Sequence, residues 1–182
     1  MKKLTCLMLV LLLCLSCCAA LASTYEIEAL EVEMELPDGL TVVNETETDE
    51  AVVLQLELDG RGDCMYTVTF SYYEDYEGYY TATLPDDLLE DLIAGYTNQL
   101  DCENKPSIID ITGGEDETAE VNPLFVAGTD ANGQWVIAYT MVLDGWYFQV
   151  TGATSAEEFD EDSYGAAFNL YFAGMELFMG EE

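Results

Sequence analysis

Apolar and polar residues alternate along several stretches of the chain, which is the pattern of β-strands with one buried and one solvated face. The first stretch covers residues 30–36, where apolar residues alternate with glutamate, and a Pro-Asp-Gly turn separates it from a short apolar strand at 40–43. Residues 52–58 and 64–72 repeat the alternation on either side of a turn rich in glycine and aspartate. These two stretches therefore predict a β-hairpin.

Two other segments follow a helical period. Pro85 suits the first position of a helix, the aspartates after it favour the positive helix end, and apolar residues then recur on one face as far as Leu100. A second helix is predicted to start near Ser163, after Asp160 and Asp162, which provide acidic and capping groups. Its apolar stripe predicts packing against the core and consists of Tyr164, Phe168, Tyr171, Met175 and Phe178.

Between the two helices the chain returns to strand patterns. A strand is predicted at 107–112, and after an acidic loop three more at 123–128, 134–143 and 146–151 are joined by turns typical of hairpins. Elements in this order favour an antiparallel sheet with helices packed on it. We therefore predict one acidic α+β domain over residues 23–182, a twisted antiparallel sheet of about six to seven strands packed with two helices.

The residues that open and close this domain carry a family resemblance. Residues 34–40, Met-Glu-Leu-Pro-Asp-Gly-Leu, place a proline turn between two strands, and residues 135–139 and 144–148 carry Trp-Val-Ile-Ala-Tyr and Asp-Gly-Trp-Tyr-Phe ahead of the last helix. In these features the chain resembles the PsbP-like domain family over most of the residues after position 22. The resemblance implies a layered sandwich of a twisted antiparallel sheet between helices and, in bacteria, an extracytoplasmic protein. It implies no functional residues.

Residues 1–22 have the organisation of a secretory signal peptide. Two lysines precede an apolar run at 4–15, and the Ala-Leu-Ala that follows is the small-residue pattern that signal peptidase cleaves. We therefore expect a secreted or otherwise extracytoplasmic bacterial protein that begins at Ser23. In the alternative, Cys17 or Cys18 is acylated and the protein is an anchored lipoprotein.

The chain is strongly acidic, with 37 aspartates and glutamates against four lysines and arginines and a formal net charge of −33. Half of its residues are apolar, so it is too hydrophobic for a disordered chain and should fold. So few cations cannot neutralise phosphates, which excludes nucleic acid and anionic membrane surfaces as partners. A basic protein, a glycan or calcium remains compatible with this charge.

Of the six cysteines, only Cys64 and Cys102 lie after the leader. The strand that leaves Cys64 and the helix that returns toward Cys102 have comparable lengths, about 30 Å outward and about 22 Å back. We therefore predict a disulfide between the two residues, as is common in exported proteins. Two free, buried thiols are the alternative.

The residue types exclude several chemistries. The chain contains no histidine, which excludes histidine-assisted serine or cysteine catalysis and histidine-ligated metal sites. The Gly-x-Ser-x-Gly and phosphate-loop motifs are also missing from the sequence. Two carboxylates can still hydrolyse a glycosidic bond, but in so acidic a chain such pairs arise by chance. We expect no enzymatic activity and no cofactor, with a carboxylate-dependent hydrolase as the alternative.

Tyrosines and carboxylates interleave just after the predicted hairpin. Aromatic rings beside carboxylates can hold sugars or the cationic groups of basic peptides. The candidate ligand-binding residues are Tyr73, Tyr76, Tyr79, Tyr80, Glu74 and Asp75. In the alternative interpretation this is an edge loop that only exposes its phenols.

Two other motifs are weaker candidates. Glu115, Asp116 and Glu117 could collect calcium, although their spacing matches no known calcium loop. Residues 61–63, Arg-Gly-Asp, are predicted at the hairpin tip, where they present an adhesion motif or simply make the turn. The predicted function is an exported, non-enzymatic interaction module. A calcium-binding protein without a specific partner is a further alternative.

Overall fold

A computed structural model describes residues 23–111, 121–156 and 159–179 of the protein. These residues form ten strands and two α-helices. The strands are β1 (Ser23–Ile27), β2 (Val32–Leu36), β3 (Leu40–Glu47), β4 (Ala51–Leu58), β5 (Arg61–Tyr72), β6 (Leu100–Cys102), β7 (Ser107–Ile108), β8 (Leu124–Asp130), β9 (Trp135–Leu143) and β10 (Trp146–Thr154). The helices are α1 (Asp86–Thr97) and α2 (Glu161–Met179).

Eight of these strands form one antiparallel sheet in the order β3-β4-β5-β10-β9-β8-β6, with β7 also paired to β8. Strands β1 and β2 form a separate antiparallel ribbon. The predicted α+β class, with an antiparallel sheet and two helices, is confirmed. The sheet has eight strands instead of about six to seven: the three-residue β6 is too short to show a hydrophobic period, and β7 is a short strand at the start of the one predicted at 107–112.

Helix α2 packs on one face of the sheet. Phe148 of β10 pairs in register with Phe70 of β5, so both rings point to the same side. Their ring centroids lie 5.1 Å apart, and Phe148 lies 5.7 Å from Tyr171 of α2. Buried aromatic rings at such distances hold the helix on the sheet. The predicted stripe is therefore part of the core from Phe168 to Phe178, whereas its first member, Tyr164, is exposed.

Helix α1 packs on the opposite face. Leu124 and Val126 of β8 and Ala138 of β9 are buried there, and Leu92 and Tyr96 of α1 are among the partly buried residues that cover them. None of the residues of α1 is fully buried. The helix covers the β8–β9 side of this face, and the sheet continues beyond it through β10, β5, β4 and β3.

The hairpin between β4 and β5 has a tighter turn than predicted. Leu58 pairs with Arg61, and only Asp59 and Gly60 connect the strands, with Gly60 at φ +74°. A two-residue turn of this kind requires a left-handed backbone that glycine adopts readily. Arg61 therefore begins a strand instead of lying at the hairpin tip, which corrects the predicted presentation of the Arg-Gly-Asp sequence.

The predicted disulfide is wrong, because the structure places Cys64 and Cys102 in distant strands with both thiols free. Cys64 lies in β5 and Cys102 in β6, and β10, β9 and β8 run between these strands. Four strand spacings amount to about 19 Å, whereas a disulfide needs Cα atoms within about 7 Å. Helix α1 does reverse the direction of the chain, as predicted, but it leads to β6 at the far edge of the sheet.

The predicted signal peptide and the candidate acylation sites Cys17 and Cys18 lie outside the described residues. Within the described ranges, no helix combines the length and apolar character needed to cross a bilayer.

Candidate binding groove

The interleaved tyrosines form an ordered loop, which we call the tyrosine loop (residues 73–80). Its backbone is hydrogen-bonded to the turn between β9 and β10. The Tyr73 N–H donates to the Gly145 carbonyl at 2.8 Å, and the Asp144 N–H donates to the Tyr79 carbonyl at 2.7 Å. These bonds hold the loop beside the start of β10, and the loop contributes to the groove on the side of the sheet that carries α1.

A groove of about 500 Å³ lies between the tyrosine loop, α1 and the sheet. This volume is within the usual range for small-molecule sites. The residues that line it are Tyr73, Tyr76, Asp91, Leu92, Gly95, Tyr96, Gln99, Leu100, Val136, Ala138, Tyr147, Gln149 and Thr151.

Three tyrosine rings form one wall of the groove. The ring of Tyr73 stands edge-on to Tyr76, with centroids 5.6 Å apart at 77°, and edge-on to Tyr147 at 5.8 Å and 81°. Tyr73 is 46% exposed, while Tyr76 and Tyr147 are half-buried. Edge-to-face packing fixes the ring orientations and leaves part of the Tyr73 side chain open to a ligand.

Polar side chains from three elements are linked at the floor of the groove, where Gln149 and Tyr96 line the groove and Thr140 is buried beneath them. Gln149 of β10 and Thr140 of β9 are register partners, and Tyr96 reaches them from α1. The Gln149 amide donates to Tyr147 Oη at 2.8 Å and to Tyr96 Oη. Tyr96 and Thr140 share a further hydrogen bond. Linked side chains of this kind place amide and hydroxyl groups at fixed positions.

The groove is nearly uncharged. Burial is the main reason why the pKa of Tyr147 is raised well above its ordinary value, with a smaller contribution from nearby Tyr96. Burial also raises the pKa of Tyr76. Both phenols are neutral at physiological pH, as an ordinary tyrosine is, and the upward shifts keep them so to still higher pH. Asp91, an exposed residue, is the one carboxylate among the groove-lining residues, although the chain has 37 acidic residues.

The structure brings together only part of the site predicted from the sequence. Tyr73 and Tyr76 line the groove, whereas Tyr79 and Tyr80 are half-buried outside it. Glu74 and Asp75 are exposed in a short 3₁₀ turn and do not line the groove. Their carboxylates therefore lie beside the site instead of inside it.

Sequence reasoning missed Tyr96, Tyr147 and Gln149. Tyr96 lies in the helical repeat of apolar residues that extends as far as Leu100, and nothing in that pattern distinguishes its hydroxyl as part of a site. Tyr147 and Gln149 alternate with the buried residues Phe148 and Val150, which places them on the second face of the sheet. That alternation could have identified them as surface-facing polar residues, but not as neighbours of Tyr73.

Two other cavities of about 620 Å³ each are less suitable as binding sites. In one, Asp144 is the single carboxylate among lining residues whose side chains are otherwise hydrophobic, and it accepts a hydrogen bond from the Gly78 N–H at 2.9 Å. The other, near Arg61, is lined by several carboxylates, all exposed: Asp38, Asp59, Glu161 and Asp162. A general acid for glycoside hydrolysis needs an environment that keeps its carboxyl protonated, which exposure to water does not provide.

The candidate calcium residues Glu115, Asp116 and Glu117 lie outside the described residues. Within the part of the chain that the structure describes, no group of three or more acidic or cysteine side chains is arranged to hold a metal ion.

Comparisons with protein-family models and with curated proteins give no match to this chain. The resemblance to PsbP-like domains therefore stays a prediction, and the groove is the feature of the molecule that bears on its function.

Proposed function

We propose that the protein is an exported, non-enzymatic binding module whose groove holds a neutral sugar. The floor of the groove carries this proposal: the Gln149 amide and the hydroxyls of Tyr96 and Tyr147 are linked by hydrogen bonds and line the groove beside the exposed ring of Tyr73. A sugar offers hydroxyls to such groups and an apolar ring face to an aromatic side chain. The groove therefore offers partners both for the hydroxyl groups of a sugar and for its apolar ring face.

Charge favours a neutral ligand over an anionic or a cationic one. The net charge of −33 repels anionic glycans. A site for a basic peptide would place several carboxylates around the cation, but the groove lining supplies only Asp91. Glu74 and Asp75, which suggested a cationic ligand, lie outside the lining.

The chemistry of the groove supports binding without catalysis. Glycoside hydrolysis uses two carboxyl groups that flank the scissile bond, about 5–9.5 Å apart. The groove lining contributes one carboxylate, and the chain has no histidine to act in place of the other. An extracytoplasmic location fits this role, because the leader predicted at residues 1–22 would bring the domain to environmental or cell-surface glycans.

The test is calorimetric titration of the purified protein with neutral di- to hexasaccharides of the gluco, xylo, manno and galacto series. We expect at least one series to bind, and Tyr73→Ala to weaken that binding about tenfold, which corresponds to roughly 1.4 kcal/mol. Polygalacturonate, a lysine-rich peptide and calcium serve as the anionic, basic and metal comparisons.

Tyr164→Ala is the control. Tyr164 is also an exposed tyrosine, 37% exposed, but it lies in α2 on the other face of the sheet, where its ring packs against Phe159. Its removal should leave sugar binding unchanged. Equal losses in the two variants, or binding of the lysine-rich peptide and of none of the sugars, would contradict the proposal.

A further inference from the structure

The sheet surface continues from the groove onto β5, and the pairing of β10 with β5 has no shift in register. Gln149 and Thr151 of β10, which line the groove, pair with Thr69 and Thr67 of β5. Both threonines are half-buried, and their side chains share the face of Gln149 and Thr151. The groove therefore opens onto the outer strands of the sheet.

Two cross-strand rows lead from the groove to the edge strand β3, and we call them the uncharged rows. Their members are successive register partners in β10, β5, β4 and β3. The first row is Thr151, Thr67, Gln55 and Asn44, and the second is Gln149, Thr69, Val53 and Thr46. None of these eight residues is charged, and seven of them carry a hydroxyl or amide group.

The absence of carboxylates from these rows contrasts with other exposed strand positions. In β2 the exposed residues Glu33 and Glu35 are both acidic. In β3 the acidic residue Glu45 is on the other side of the strand, where its carboxylate accepts a hydrogen bond from Tyr25 Oη at 2.6 Å. Glu57 lies two residues beyond Gln55 on β4, so it marks where the uncharged rows end.

The amides at the edge of the sheet are already oriented by one another. Asn44 Nδ2 donates to Gln55 Oε1 at 3.2 Å and to Thr46 Oγ1 at 3.3 Å. This leaves the Gln55 amide nitrogen and the Asn44 carbonyl oxygen as a donor and an acceptor for a ligand on the surface. The outer end of the rows thus offers the same neutral hydrogen-bonding chemistry as the groove floor.

We propose that the groove is the inner end of a longer track, and that its ligand is an unbranched neutral polysaccharide that crosses β10, β5, β4 and β3 over the uncharged rows. This inference rests on the proposed function. Three strand spacings from β10 to β3 span about 14 Å, room for sugar units beyond those held in the groove. A second copy of this acidic chain on the same face would bring two bodies of like charge together.

The test compares a disaccharide with a hexasaccharide of the neutral series that binds, using the purified protein, Gln55→Ala and Gln134→Ala. Gln134 is a matched control, because it is also an exposed glutamine but lies at the turn between β8 and β9. We expect the hexasaccharide to bind more tightly than the disaccharide. Gln55→Ala should weaken hexasaccharide binding about threefold to tenfold and leave disaccharide binding unchanged, and Gln134→Ala should change neither.

Equal affinities for the two saccharides would overturn the track and leave the groove proposal intact, provided that Tyr73→Ala still weakens disaccharide binding. Binding of no saccharide would overturn both. Analytical ultracentrifugation adds one further outcome: a dimer that Gln55→Glu dissociates would assign the uncharged rows to a second copy and overturn the track. Thr67→Val is a second variant, which keeps the side-chain shape and removes the hydroxyl. Like Gln55→Ala, it should weaken hexasaccharide binding and leave disaccharide binding unchanged.

Discussion

The guanidinium of Arg61, the first residue of β5, donates a hydrogen bond to the carboxylate of Asp160, 99 residues later in the chain. Asp160 Oδ1 also accepts the Ser163 N–H at 2.9 Å, and so caps the start of α2. A second carboxylate, Asp63, lies 3.2 Å from Arg61 Nε. One cation thus connects the β4–β5 hairpin to the helix that closes the core.

We expect Arg61→Ala to lower the melting temperature clearly more than Lys105→Ala. Each substitution removes one positive charge, so the change in net repulsion is the same. Only Arg61→Ala also removes the contacts with Asp63 and Asp160. Thermal unfolding followed by circular dichroism measures the difference, and equal shifts in the two variants would argue against a specific role for Arg61.

The Asp160 contacts should make stability depend on pH in a defined direction. Hydrogen bonds from Ser163, and then from Arg61, lower the pKa of Asp160 from 3.8 to about 2. Because the pKa of Asp160 is lower in the folded protein, its ionised carboxylate stabilises the fold at pH values above the ordinary pKa. That contribution is lost as the pH falls through about 2. Asp160→Asn keeps a capping oxygen and removes the charge.

We therefore expect Asp160→Asn to melt below the unsubstituted protein near neutral pH, and the gap to close as the pH falls from about 4 toward 2. Asp162→Asn, which removes an exposed carboxylate from the same helical turn, is the control for general charge repulsion. A gap for Asp160→Asn that stays constant down to the lowest pH would contradict the prediction.

Two glycines of α2 should respond in opposite directions to the same substitution. A Cβ at Gly174 would overlap the ring of Phe148 inside the buried aromatic cluster, whereas a Cβ at Gly165 would meet no atom within 4 Å. Overpacking by a methyl group typically costs about 1–3 kcal/mol, and an alanine in place of a helical glycine gains about 0.5–1 kcal/mol. Gly174→Ala should therefore destabilise the protein and Gly165→Ala stabilise it, as measured by denaturant unfolding. A stabilised Gly174→Ala variant would show that the α2–sheet contact is looser than described.

The two cysteines of the described domain should remain unlinked in the purified protein. Alkylation in denaturant without reductant, followed by digestion and mass spectrometry, should recover the Cys64 and Cys102 peptides separately and both alkylated. Before denaturation, Cys64 should react more slowly than Cys102, because Cys64 is buried and Cys102 is only partly buried. A linked pair of peptides would contradict the strand order between β5 and β6.

Salt should stabilise the protein by screening repulsion between its carboxylates. With a net charge of −33, we expect the melting temperature to rise as sodium chloride is added. Calcium should raise it no further than sodium chloride of the same ionic strength. A larger effect of calcium that Glu117→Gln abolishes would instead assign a calcium site to the acidic segment at 115–117.

Local patterns predicted much of the architecture. Alternation identified β4 and β5, the helical period identified α1 and α2, and together they led to the α+β class. These predictions succeeded because strand and helix periods are properties of neighbouring residues. The turn at Asp59 and Gly60 and the placement of Arg61 were less accurate, since the exact ends of strands depend on which residues pair.

The sequence by itself determined the charge, the absence of histidine and the faces of most strands and helices. Only the tertiary structure decided that β10 pairs with β5, which separates Cys64 from Cys102 and brings Tyr147 and Gln149 beside Tyr73. The physical reason is that alternation tells which side of a strand faces the core, whereas the order of strands depends on how the whole apolar surface is buried. The groove and the uncharged rows follow from that order.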